Sequence, residues 1–132
     1  MSNEFEIATM CFACGKDNPI GLHIDFGFDG VTSTAKFTPG ENHVGWENTV
    51  HGGIIFAVLD DVTAHVLYAQ KRKAHTARCE IRYRQALLVG ETVKLRGWID
   101  REKGRLVMLK GEARRVTDDS LVADCVASFM LE

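Results

Sequence analysis

A histidine and two glycines, His51-Gly52-Gly53, stand directly before a stretch whose apolar residues recur at helical spacing and which carries two adjacent carboxylates, Asp60 and Asp61. That order of residue types can do chemistry. The first turn of a helix leaves backbone N–H groups unpaired at the positive end of the helix dipole. Gly52 and Gly53 therefore offer donors to an oxygen that gains negative charge during a reaction, and their missing side chains let a ligand come close. At 100° per residue Asp60 falls roughly opposite the apolar stripe but beside Phe56, Ala64 and Leu67. An acid among apolar neighbours is costly unless something pairs with it or uses it. Each residue also has a plainer use. The glycines serve as turn residues, His51 holds the turn by hydrogen bonds, Asp60 faces solvent, and Asp61 makes an ordinary i,i+4 pair with His65. Asn48, in the preceding polar loop, is either a ligand to substrate or water or an Asx-type turn former.

Two further groups carry chemistry-bearing side chains. Cys11 and Cys14 supply half a metal site, but the chain has no second Cys-x-x-Cys, with His23 or a partner subunit as the remaining sources of ligands. The pair is therefore read as structural and metal-free. Cys79 and Cys125 lie inside apolar runs and read as buried thiols. Arg82 and Arg84, with Lys71, Arg72 and Lys73, are candidates for binding phosphates, against the plainer reading of a solvated strand face and helix end.

The elements that must position these residues follow from periodicity. Leu22, Ile24, Phe26 and Phe28 alternate with smaller or polar residues, Asp29-Gly30 breaks the run, and Val31, Ala35 and Phe37 return, which predicts a hairpin. From Gly53 to Gln70 the period becomes helical, with Ile55, Val58, Leu59, Val62, Val66 and Ala69 on one face. Phe56, Ala64 and Leu67 form a second apolar patch, so the helix is buried on both sides. Lys71 to Lys73 suit its C-terminal end. Then come strands: Cys79, Ile81 and Tyr83 alternate with charged residues, and runs near 93–99, 106–114 and 121–131 follow on short turns. Long strands on short turns make an antiparallel sheet, and one long helix covers one face of it. Trp98, Met108, Val122, Val126 and Met130 sit out of phase with the main apolar positions and argue for subunit contact on the other face.

The bulk properties exclude some classes. The 132 residues, 45% of them hydrophobic, suffice to bury a core without metals or disulfides. A net charge of -2 gives no support to a nucleic-acid surface. The N-terminus has early acids and no apolar signal region, and Asp60, Asp61 and His65 make the helix a poor membrane span. The expectation is a soluble cytoplasmic protein, with residues 1–20 irregular and 21–132 one domain.

At VHGGIIFAVLDD, 50–61, the chain resembles the phenylacetate-pathway-type branch of the hotdog thioesterase superfamily. CFACGKDNPIGLHIDF, 11–26, is similar to the N-terminal segment of one subgroup, and HVGWENTVHGG, 43–53, to the loop before the turn. The likeness continues through TARCEIRYRQAL, 76–87. The resemblance implies an α+β hotdog fold, with a long helix wrapped by a curved antiparallel sheet. It also implies paired subunits forming one continuous sheet, active sites at their interface, and in many members a tetramer. The implied activity is hydrolysis of acyl-coenzyme A thioesters, with coenzyme A entering as part of the substrate and no cofactor. Asp60 takes the place of the general base or nucleophile, and Gly52 that of the donor to the thioester oxygen. Thr76 matches a Ser or Thr that holds the attacking water across the dimer; its strand phase, opposite to Cys79, means that it need not face its own helix, and its plainer use is as a β-branched strand residue. His51 positions the turn, and Asp61 supports His51 or substrate. Asn48 departs from the small or proline residues common in relatives. Gly53, Phe56, Arg82 and Arg84 complete the substrate side, with Phe56 narrowing the acyl tunnel toward aryl or medium-chain groups. The alternatives are a non-catalytic acyl-binding protein and a hydroxyacyl-thioester dehydratase.

Overall fold

The change of period at residue 52 is where the helix begins. In a computed structural model that describes residues 9–132, α1 spans Gly52–Ala69. Ile55, Val58, Leu59, Val62 and Val66 are buried along it, as the apolar stripe requires, and Leu67 from the second patch is buried too. Lys71 takes a left-handed conformation (φ 60°). Its N–H then reaches the Tyr68 carbonyl and that of Arg72 reaches Leu67, both at 2.9 Å, which ends the helix with its last carbonyls satisfied. Lys71 thus ends the helix through its backbone.

The strands are β1 (Gly27–Phe28), β2 (Thr32–Phe37), β3 (Val44–Trp46), β4 (Thr49–Val50), β5 (Ala74–Tyr83), β6 (Val93–Lys103), β7 (Leu106–Arg115) and β8 (Leu121–Leu131). Six of them form an antiparallel sheet in the order β1-β2-β6-β7-β8-β5, wrapped on one helix as in a hotdog fold. Among the described residues, β5 pairs only with β8, so a ten-residue strand forms one edge of the sheet. β3 and β4 make a separate small ribbon in the loop before the helix, which the polar sequence there does not announce.

The first hairpin is shorter than alternation predicts. Leu22 and Ile24 belong to no strand: His23 between them is left-handed (φ 54°), and their N–H groups go to the carbonyls of Phe12 and Ala13 at 2.8 Å, so this stretch pairs with the N-terminal turns and joins the sheet only at Gly27. The Asp29-Gly30 turn does form: Asp29 Oδ1 accepts from the N–H groups of Val31 and Thr32 at 2.8 and 2.7 Å.

Close packing of helix on sheet rests on two paired glycines. Gly97 of β6 stands opposite Gly111 of β7, directly under Thr63 of the helix. A Cβ at Gly97 would lie 2.6 Å from the Val62 carbonyl oxygen, so any side chain would push the helix away. Thr63 is fully buried there, its hydroxyl donating to the carbonyls of Asp60 (2.8 Å) and Leu59 (3.2 Å).

On the outer face, Trp98, Met108, Val126 and Met130 are partly or well exposed, in line with their phase. Val122 corrects the pattern. The β7–β8 register shifts there, which makes Val122 an extra residue that turns into the core beside Ala123.

Candidate active site

The site is built from the helix start, the middle of the helix and the edge strand. His51 caps α1, its Nδ1 accepting the Gly53 N–H at 2.8 Å. Nδ1 therefore carries no proton. Tyr83, on β5, donates its hydroxyl to the Gly52 carbonyl at 2.8 Å. The peptide unit between Gly52 and Gly53 is thus held at both ends, its N–H by His51 and its C=O by Tyr83. The preceding N–H, that of Gly52, has no hydrogen-bond partner among the described residues. So of the two glycine donors one is consumed in capping, and the Gly52 N–H remains available at the positive end of the helix. A hollow of about 310 Å³ opens beside it, lined by Gly52, Ile55, Tyr83 and Arg84 among others. In the sequence Tyr83 carries only its phase with Cys79 and Ile81, and nothing local shows that this phase ends over a helix terminus.

Asp60 is half-buried and its Oδ1 accepts from the Thr76 hydroxyl at 2.9 Å. Thr76 thus faces the helix of its own chain, which strand phase alone leaves open. Thr76 pairs with Phe129 and Arg78 with Ser128, so Ala77 is an inserted residue, a β-bulge. The bulge resets the alternation and brings Thr76 onto the same face as Cys79, Ile81 and Tyr83. Burial raises the Asp60 pKa above the usual carboxylate value, and the Thr76 hydrogen bond works against that. Cys79 and Cys125 lie close by. Burial pushes the Cys79 thiol up and Cys125 to about 12, with the Asp60 charge adding to both. Such thiols stay protonated and are poor nucleophiles. Cys125 is buried as expected, whereas Cys79 is only partly so.

Asp61 does not pair with His65. The imidazole stacks on Phe26 (centroids 5.2 Å apart) and meets Tyr68 edge-on, and burial lowers its pKa. Nor does Asp61 reach His51, because ten residues of helix place it roughly 15 Å further along the axis. It faces the N-terminal segment instead, with Cys11 and Cys14, and its pKa is raised to about 6 by burial, partly offset by a hydrogen bond from Cys14 and reinforced by Asp60.

The remaining expected residues are dispersed. Asn48 is an exposed turn residue between β3 and β4 whose carbonyl accepts from Val89 N–H at 3.0 Å. Phe56 is half-buried one helical turn before Asp60 and is absent from the lining of the hollow beside Gly52. Arg84 forms a two-pronged ion pair with Asp124, Nε–Oδ1 and Nη2–Oδ2 both 3.1 Å, so its guanidinium is already occupied. Arg82 is exposed and has no ion-pair partner among the described residues.

The family described as the thioesterase superfamily matches residues 47–122, more than half of the chain. No functionally curated protein matches it in sequence. Among solved structures the chain is similar to RHA08564, a thioesterase superfamily protein, at 22% identity and a TM-score of 0.84, covering 92% of this chain and 60% of that one. It therefore spans about 60% of the length of that relative. It is similar to the Escherichia coli PaaI protein from the phenylacetic acid degradation operon (18% identity, TM-score 0.77, 83% of each chain). It is also similar to the protein smu.793 of Streptococcus mutans, solved bound to acetyl-CoA (16% identity, TM-score 0.77, 83% of this chain and 88% of that one). At these identities the structural likeness speaks for the fold. The family match over 47–122, which takes in the His-Gly-Gly turn, the helix with its carboxylates and the strand that carries Thr76, makes this chain a member of the thioesterase superfamily.

Proposed function

We propose that this protein hydrolyses acyl-coenzyme A thioesters to the free acid and coenzyme A, as a member of the phenylacetate-type branch. The observation that carries this reading is the half-buried Asp60 carboxylate hydrogen-bonded by Thr76, together with a Gly52 N–H left without a partner. In one route Asp60 takes a proton from water held by Thr76, and the hydroxide oxygen bonds to the thioester carbonyl carbon. In the other, Asp60 attacks that carbon itself and water later cleaves the mixed anhydride. In both, the carbonyl oxygen gains charge against the Gly52 N–H, the C–S bond breaks, and coenzyme A leaves as the thiol after taking up a proton.

Eight residues of helix separate Gly52 from Asp60, about 12 Å of rise, too far for both to act on one carbonyl group. The reading therefore requires two chains, with the Asp60–Thr76 pair of one facing the Gly52 turn of the other. The open β5 edge, close to both, is where we place the contact. Arg82 is the better of the two expected arginines for a coenzyme A phosphate, since Arg84 is tied to Asp124. That smu.793 was solved with acetyl-CoA supports this ligand class. A dehydratase would need a presented imidazole, and His65 is packed between two rings.

The test is a free-thiol release panel of acetyl, hexanoyl, palmitoyl, benzoyl and phenylacetyl thioesters. Wild type should release thiol, best with aryl or medium-chain groups. Asp60→Asn should lose about 10²–10⁴-fold in turnover while remaining folded and assembled. Phe56→Ala should shift the preference toward bulkier acyl groups, and unchanged relative rates would remove Phe56 from the acyl wall. Tight ligand retention with no thiol released from any member would make the protein a binder, and wild-type-like turnover in Asp60→Asn would sink the assignment.

A further inference from the structure

The N-terminal Cys-x-x-Cys finds a third partner that sequence spacing hides. Cys11 Sγ, Cys14 Sγ and an Asp61 carboxylate oxygen all lie within 4.8 Å of one another, each residue half-buried. We propose that these three side chains form a binding site for a thiophilic divalent cation, zinc by chemistry, that pins the N-terminal segment to the middle of α1.

The loop is built for this closeness. Gly15 donates its N–H to the Cys11 carbonyl at 2.8 Å, and a Cβ at Gly15 would lie 2.4 Å from Cys11 N and 2.5 Å from Thr9 O. Only glycine lets the chain coil back tightly enough to set Cys14 beside Cys11. Asn18 holds the far side of the loop, its Nδ2 donating to the Met10 carbonyl and its Oδ1 accepting from Ile20 N–H, both at 3.0 Å. Phe12 and Ala13, between the cysteines, take the Leu22 and Ile24 N–H groups, so the cysteine loop and the following segment form one unit, which meets the helix at Asp61 and His65.

The donor set matches the cation. Two thiolates and a carboxylate carry three negative charges, which a dication largely offsets, and sulfur donors favour zinc over magnesium or calcium. Tetrahedral zinc with Zn–S of about 2.3 Å sets its sulfurs roughly 3.8 Å apart, so the cluster needs only a small inward turn of its side chains. Among the described residues Asp61 has no cationic partner, an unusual state for a half-buried carboxylate. His23 does not complete the set. Neither of its ring nitrogens falls within the 4.8 Å cluster, and its Nε2 is held 2.6 Å from the Asn18 carbonyl. The fourth position therefore falls to water, reached from a cavity of about 490 Å³ that Cys14 helps to line.

The experiment uses the full chain, purified without chelators under phosphine reductant. Elemental analysis should find about one zinc per chain. Cobalt(II) substitution should give the intense visible bands of a tetrahedral site and near-ultraviolet thiolate charge transfer. Competition against a chromophoric chelator should show Asp61→Asn at least about tenfold weaker with the thiolate band kept, and Cys14→Ser without that band. Circular dichroism separates loss of metal from loss of fold, and Asp61→His, which restores a zinc ligand, should recover the affinity. Substoichiometric zinc, wild-type affinity in Asp61→Asn, or a Cys11–Cys14 disulfide trapped by alkylation of fresh lysate as the resident form would overturn the site.

Discussion

Asp60 meets two opposing influences at the scale of single atoms. Burial disfavours its charged form and raises the pKa, while the Thr76 hydroxyl, donating to Oδ1, favours the charged form. A base must be deprotonated to act, so turnover falls as pH drops through the Asp60 pKa. Thr76→Val removes the stabilising hydrogen bond that the described residues give this carboxylate and keeps the β-branched shape. The acid limb of kcat/KM should therefore move to higher pH in this variant, with turnover reduced even on the plateau. A profile shifted to lower pH, or not at all, would show that the hydroxyl does not tune Asp60. Asp61, the next residue, lies in a different setting beside two thiols, so helical rotation alone gives adjacent carboxylates separate surroundings.

At the scale of elements, two local departures from regularity make the site. The bulge at Ala77 turns Thr76 toward the helix, and the Gly97–Gly111 pair lets the helix approach the sheet. Without the bulge Thr76 would point to the outer face, since strand alternation is strictly two-fold. Gly97→Ala tests the second feature. Its Cβ would sit 2.6 Å from the Val62 carbonyl oxygen, and backbone cannot move aside as a side chain tip can. The variant should lose about 1–3 kcal/mol, read as a lowered urea midpoint at fixed protein concentration. Gly40→Ala makes a control, because its φ of -105° is open to any residue and no atom lies closer than 4.0 Å. Its midpoint should stay near that of wild type. Equal midpoints for the two variants would mean that helix and sheet have slack where the geometry shows contact.

At the scale of the molecule, the distance along the helix between Gly52 and Asp60 turns an arrangement of residues into a statement about assembly. If each site draws its N–H donor from one chain and its carboxylate from the other, two dead variants should revive each other. Gly52→Pro removes the N–H at a helix position where proline is well accepted, and Asp60→Asn removes the base. Co-refolded in equal amounts, half of the dimers are mixed, and each mixed dimer has one site with both lesions and one with neither. The mixture should show about a quarter of wild-type thiol release, as two-fold symmetry requires. Activity no greater than that of the two variants measured separately would place both groups on one chain, or leave the donor elsewhere.

The sequence by itself determined the helix, its buried stripe and the run of antiparallel strands, because these depend on periods of 3.6 and 2 that are local to the chain. It also determined the cap at His51 and the turn at Asp29-Gly30, which involve neighbours within three residues. The tertiary structure decided what periodicity cannot carry. An inserted residue at Ala77 or Val122 has no local signature, because it exists only relative to the partner strand, yet it reverses the face of what lies beyond it. Tyr83 on the Gly52 carbonyl, Asp124 on Arg84 and Asp61 beside Cys11 and Cys14 join positions 31 to 50 residues apart. Which of several equally suitable partners such a residue meets is set by how the sheet wraps the helix, and no local preference along the chain encodes that choice.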